Sequence, residues 1–140
     1  MRLEILKKEH IDIILPIVSA VNDQLNIQTI TDRLTEMFAY PNYYCFGLFD
    51  EDELIALTSG WALTKIYSGR QLELDNFAVA AHRRNDGSGK ILHTKVQHWA
   101  QENGFVSLEL NCYVSNGRAH KFYFSQDYSI IGYPFQKDLG

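Results

Sequence analysis

The run Leu72–Lys90, LELDNFAVAAHRRNDGSGK, constrains the fold more than any other stretch of the chain. An apolar strand-like segment gives way to two arginines, an Asn-Asp pair and two glycines. The run from Ser88 to Asn103 follows, in which Ile91, Leu92, Val96, Trp99 and Ala100 share one helical stripe. Lys90, Lys95, Gln97 and Gln101 lie mostly off that stripe, and Gly104 stands where a C-cap is expected. A further strand-like run, VSLELNCYV, comes next. Strand, loop, helix and strand over residues 71–114 make a βαβ unit, so the fourth and fifth strands are expected to be parallel neighbours.

The loop inside this unit has the chemistry of an anion site. Gly87 and Gly89 remove side chains where backbone must approach a ligand, and a helix starting near Ser88 directs unpaired N–H groups and its positive dipole end there. Arg84 and Lys90 add formal charge, a combination suited to phosphate or pyrophosphate. Two nucleotide motifs fail. A P-loop needs Gly at position 84 and Ser or Thr after Gly89-Lys90, where the chain has Arg84 and Ile91. A dinucleotide fingerprint needs Gly or Ala at position 92, which is Leu92. What remains is Arg84-x-x-Gly87-x-Gly89, placed after a strand that ends at Val79.

Elsewhere the pattern is a strand over residues 2–6 and a helix over 8–21, with Ile11, Ile14, Val18 and Val21 near helical spacing and Pro16 an irregularity. A second helix is expected from about Thr31 to Phe38, stopping before Pro41. YYCFGLFDEDELIALTSGWAL reads as two strands joined at an acidic Asp50–Glu53 turn, and Ser68-Gly69 marks another turn before QLELDNFAV. After the fifth strand come a short helix, NGRAHKFYF, and a last strand near Tyr128–Phe135. The expected architecture is α/β, with a mixed central sheet flanked by about four helices.

With 140 residues the chain is expected to form one domain, 1–140, with a single sizeable core. The absence of a long apolar run or a signal-peptide pattern makes a cytoplasmic protein without membrane association the expectation. A net charge of −4 argues against nucleic-acid binding. Cys45 and Cys112 lie far apart without metal-ligand spacing and are read as small buried hydrophobes. The five histidines include no i, i+4 pair, so no metal site is expected. His82 is read as a surface residue, and His93 and His98 as lying at the exposed margin of the long helix. Trp61, Tyr67 and the Tyr40–Tyr44 cluster are read first as packing residues, with an acceptor-site wall as the alternative.

These motifs resemble those of the GNAT superfamily of acetyl-coenzyme A-dependent N-acetyltransferases. That family's phosphate-binding pattern, (Arg/Gln)-x-x-Gly-x-(Gly/Ala), follows a strand-ending Val at the offset that Arg84, Gly87 and Gly89 keep from Val79. A second family block, Asn-x-x-Ala-x-x-Phe/Leu-Tyr, matches Asn116, Ala119, Phe122 and Tyr123. The chain departs from the family at Asp127-Tyr128, where Gly-Phe is usual, and at Ala81, where Pro is common.

The resemblance implies a single-domain GNAT-type, acyl-coenzyme A N-acyltransferase fold whose parallel strands four and five splay apart. Pantetheine would pair with the backbone of Phe77, Ala78 and Val79, and the pyrophosphate would lie on the amides of Asn85, Asp86, Gly87, Ser88, Gly89 and Lys90, near Arg84. A backbone N–H near Phe77 or Ala78 would face the oxyanion. Asn116 would bond pantetheine or order its turn, with Phe122 beside it. Glu73 and Asp75 share one strand face. Glu73 looks like the catalytic Glu of the histone-acetylating branch and is taken as the base, with Asp75 second and a proton-carrying water as the other route. Tyr123 matches the family's general acid. The implied activity is acetyl transfer from acetyl-coenzyme A to a primary amine by direct attack in a ternary complex, with a small-molecule acceptor. A protein or peptide acetyltransferase (lysine or N-terminal) and a non-catalytic acyl-coenzyme A sensor are the alternatives. Homodimerisation, frequent in the family, is left open.

Overall fold

The computed structural model describes all residues from Met1 to Gly140. Five strands form one sheet in the order β1-β2-β3-β4-β5: β1 (Arg2–Leu6), β2 (Tyr43–Asp50), β3 (Glu53–Lys65), β4 (Gly69–Val79) and β5 (Ser107–Leu110). The first three pairings are antiparallel and joined by short turns or helical excursions. β5 follows the crossover helix and runs parallel to β4, as the βαβ pattern requires. The amide of Val106 donates to Arg70 O at 2.8 Å, just before β5 begins. β4 therefore outruns the four-residue β5 towards Val79.

The helices are α1 (Ile11–Ala20), α2 (Ile27–Ala39), α3 (Ser88–Glu102) and α4 (Gly117–Ser125). A 3₁₀ turn over Lys8–His10 precedes α1, which continues through Pro16. α2 starts earlier than the sequence pattern suggested, because the Asn26 side chain accepts from the Thr29 amide at 2.8 Å and caps it. α1 lies over β3 and β4, and α2 over β2. Their apolar stripes meet Tyr43, Cys45, Leu57 and Ala78 in one buried cluster. The opposite sheet face carries α3: Trp99 lies 4.7 Å from Phe46 and 5.0 Å from Tyr44, ring centre to ring centre.

Alternation along β2 explains the two layers, since Tyr43 and Cys45 point one way and Tyr44 and Phe46 the other. Gly60 sits where a side chain has no room. A Cβ there would come within 2.8 Å of Phe46 Cε2 and 2.9 Å of Leu72 Cδ1. Two expectations for α3 divide accordingly. His98 is exposed, but His93 is 1% exposed on the inner stripe, where burial pushes its pKa down and favours the neutral ring.

Residues 1–109 and 110–140 form two compact units. In the second, the strand expected near Tyr128–Phe135 does not form. Gly132 and Pro134 explain part of this. Pro has no N–H for a ladder and Gly weakens a strand, so the run lacks consecutive donors. No helix is long and apolar enough to cross a membrane.

Candidate active site

Two cross-strand rows place the candidate carboxylates. Tyr43 pairs with Trp61 and Trp61 with Glu73; Cys45 pairs with Ser59 and Ser59 with Asp75. Glu73 and Asp75 thus share the sheet face of α1 and α2, Glu73 half-buried and Asp75 exposed. Trp61 lies 4.7 Å from Tyr43 and 5.8 Å from Tyr40, whose ring is half exposed. Tyr43 and Trp61 therefore pack the core cluster in the same cross-strand row as Glu73. Cys45 is buried and its thiol is pushed up to about 12 by desolvation, so it stays protonated and inert.

Beyond Asp75 the strand changes phase. Ser59 faces Asp75 but Leu57 faces Ala78, so Thr58 alone opposes both Asn76 and Phe77. This is a β-bulge, and Asn76 takes the left-handed conformation with φ 54°. Residues after it swap sides. Ala78 joins the α1–α2 cluster, while Phe77 and Val79 lie 3.6 Å from the position of a Cβ on Gly89 at the start of α3. The sequence carried this signal in its apolar phase, which runs over Leu72 and Leu74 and then over Phe77 and Val79.

The anion loop turns through Asn85 (φ 66°) and Gly87 (φ 90°), which caps α3. A Cβ on Gly87 would meet nothing within 4 Å, so the approach to its backbone is open. Arg84, Asn85, Gly87 and Lys90 are exposed; Ser88 is buried. The two arginines divide their tasks. Arg83 is committed to Asp86 at 2.6 Å and Asp50 at 2.9 Å, whereas Arg84 makes no ion pair. Asp86 holds the loop from within, accepting from the Ser88 amide at 2.9 Å, the Ser88 hydroxyl at 2.5 Å and Arg83 Nε. Arg83–Asp86 is a structural pair that the sequence reading did not single out. His82, as expected at the surface, contacts Glu53 Oε1 at 2.6 Å.

Arg83 first, and then the Ser88 hydroxyl and amide, hold the Asp86 carboxyl down at about 2, against 3.8 for an ordinary Asp. A depressed folded-state pKa favours folding above the unfolded value and loses that contribution as pH falls through the folded one. Native stability is expected to decline between pH about 4 and about 2, and Asp86→Asn to flatten that part of the curve. Denaturant midpoints measured across this range check it; parallel curves for both proteins would count against the loop pairing.

In the second unit, the Asn116 side chain accepts from the Ala119 amide at 3.1 Å and caps α4. Tyr123 stands 5.5 Å from both Phe122 and Tyr128, ring to ring. Burial, with a smaller contribution from Cys112, pushes its hydroxyl up to about 12, so it carries its proton at neutral pH. Cys112 is itself half-buried, with its thiol raised by desolvation.

In this mixed sheet β4 leads through a glycine-rich, cation-bearing loop into α3, the crossover helix to the parallel strand β5. The chain belongs to the acetyltransferase (GNAT) family, whose model matches residues 15–127. It is 27% identical over 125 residues to an uncharacterized N-acetyltransferase, YhdJ, of Bacillus subtilis, covering 89% of this chain and 88% of that one. Among solved structures, a ribosomal-protein-alanine N-acetyltransferase from Brucella melitensis superposes with TM-score 0.83 at 15% identity, over 99% of each chain. An aminoglycoside acetyltransferase from an uncultured soil sample, in complex with sisomicin, gives 0.74 at 18% identity over 98% of this chain and 96% of that one. The family's co-substrate is acetyl-coenzyme A. The open backbone at Gly87, the uncommitted Arg84 and the exposed Lys90 fit its diphosphate.

Proposed function

We propose that residues 1–140 are one GNAT domain that transfers acetyl from acetyl-coenzyme A to a primary amine in a ternary complex, the acceptor being a small-molecule amine. The observation that carries this reading is the α3 N-terminus, with open backbone at Gly87 and an exposed Arg84 free of ion pairs. The loop from Asn85 to Lys90, with Arg84, would hold the diphosphate, and Phe77–Val79 would take pantetheine along their backbone. The co-substrate supplies the activated acyl group.

The remaining tasks fall to side chains of the chain itself. An alkylammonium, with a pKa of about 10.4, must shed a proton before it can attack. Glu73, half-buried in the row with Trp61 and Tyr43, is suited to accept that proton. The aromatic border and the carboxylate charge suit an incoming ammonium by cation–π and Coulombic attraction. Tyr123, protonated at neutral pH, is suited to give its proton to the leaving sulfur. Asn116, which caps α4, would bond pantetheine or order that turn, with Phe122 beside it.

Acetyl-coenzyme A-dependent thiol release against polyamines, aminoglycosides, amino acids and peptides tests this. Turnover is expected with one small cationic amine class. Turnover confined to peptides would replace the acceptor assignment, and coenzyme A binding without any thiol release would indicate a sensor.

A further inference from the structure

α4 ends in a turn that brings a second phenol to Tyr123. Beyond the cap at Gln126, Asp127 takes the left-handed conformation with φ 67°. The Asp127 amide donates to Phe124 O at 3.2 Å, and the Tyr128 amide to Tyr123 O at 3.1 Å. These two bonds make a Schellman motif, in which the residue two beyond the cap folds back on the residue three before it. Here those residues are Tyr128 and Tyr123, whose rings meet edge-on at 5.5 Å with 68° between their planes. The apolar contact that accompanies such a motif needs only a ring. Asp127-Tyr128 is also where the chain departs from the family's usual Gly-Phe, so Tyr128 adds a hydroxyl that the turn itself does not require.

Both rings are half-buried. Burial first, and then the charge that Tyr123 carries when ionised, push the Tyr128 hydroxyl above the ordinary phenol value. Tyr128 therefore keeps its proton when Tyr123 gives up its own.

We propose that Tyr128 is a positioning residue for the general acid: folded back by the turn at the end of α4, its hydroxyl donates a hydrogen bond to Tyr123 as that side chain becomes a phenolate. This role rests on the acetyl transfer proposed above. When the intermediate collapses, the Tyr123 O–H bond breaks, an S–H bond forms on coenzyme A, and the negative charge passes from sulfur to the Tyr123 oxygen. A half-buried phenolate is poorly solvated and costly unless a donor faces it. A neutral phenol O–H is such a donor, and a hydrogen bond to a charged oxygen is stronger than one to a neutral oxygen. Tyr128 loses no proton in this step, and the phenolate recovers one from solvent once coenzyme A has left.

The test is a double-mutant cycle. Thiol release gives kcat and KM for acetyl-coenzyme A for the native protein, Tyr128→Phe, Tyr123→Phe and the double variant, each rate normalised to the folded fraction from near-ultraviolet circular dichroism. Tyr128→Phe keeps the ring and the turn and removes the hydroxyl alone. Its kcat is expected to fall about tenfold with KM unchanged. Because the hydroxyl acts through Tyr123, adding Tyr128→Phe to Tyr123→Phe is expected to lower kcat by less than about twofold. Native kcat in Tyr128→Phe, or the same tenfold loss in both backgrounds, would overturn the proposal while leaving acetyl transfer intact. Full turnover in Tyr123→Phe would instead overturn the acid role of Tyr123, and this role with it. If the native protein released no thiol with any amine, the acetyl-transfer reading itself would fail.

Discussion

Tyr123→Phe is expected to lower kcat by about 10²–10⁴-fold and to leave acetyl-coenzyme A affinity nearly unchanged. The substitution removes one hydroxyl and keeps the ring, so the edge contacts with Phe122 and Tyr128 at 5.5 Å survive. The hydroxyl is desolvated, its pKa held at about 12, which preserves the proton to be donated across the neutral range. Its loss therefore falls on the step in which sulfur leaves, and not on binding. Steady-state rates combined with calorimetric titration separate the two effects. Equal turnover in the variant would remove Tyr123 from the mechanism.

Arg84→Glu is expected to act on cofactor binding instead. Arg84 is exposed, has extended backbone (φ −66°, ψ 142°) and, unlike Arg83, makes no ion pair within the protein. Reversing its charge should leave the loop's internal scaffold of Arg83, Asp86 and Ser88 in place. A charge-assisted contact to phosphate contributes about 1.5–3 kcal/mol, so the dissociation constant for coenzyme A is expected to rise about 10- to 150-fold. The melting temperature should barely move, as for most exposed substitutions. Arg83→Glu should do the opposite, loosening the loop itself through Asp50 and Asp86. Unchanged affinity on titration of the Arg84 variant would refute the diphosphate assignment.

The βαβ unit was the legible part of the chain. Apolar phase, the glycine pair and the helical stripe from Ile91 to Ala100 all reported the same geometry, and each is a local property. The early strands were legible for the same reason, because alternation and turn residues mark them without help from distant contacts. The start of α2 was readable in principle from Asn26, an N-cap residue, but the polar Gln28 and Thr29 masked the first turn. His93 was misjudged because a histidine at the edge of a stripe is placed by the neighbouring layer, which periodicity does not describe. The expected strand at Tyr128–Phe135 had apolar composition in its favour and Gly132 and Pro134 against it; composition was given too much weight.

Within the candidate site, the anion loop was assigned from residue types, glycines and cations at a helix start, which are written in the sequence. The bulge at Asn76 was missed although the slip from Leu72 and Leu74 to Phe77 and Val79 recorded it. The pairing of Arg83 with Asp86 was missed for a different reason. Which of two adjacent arginines serves the scaffold and which faces outward depends on Asp50, a residue distant in sequence and brought near by the fold.

The most direct test is a crystal structure of the protein grown with coenzyme A. The diphosphate should lie against the amides at the start of α3 beside Gly87, with pantetheine along Phe77–Val79 of β4. A ligand seated away from that loop, or no ligand bound at saturating concentration, would contradict the roles assigned to Arg84, Glu73 and Tyr123 together.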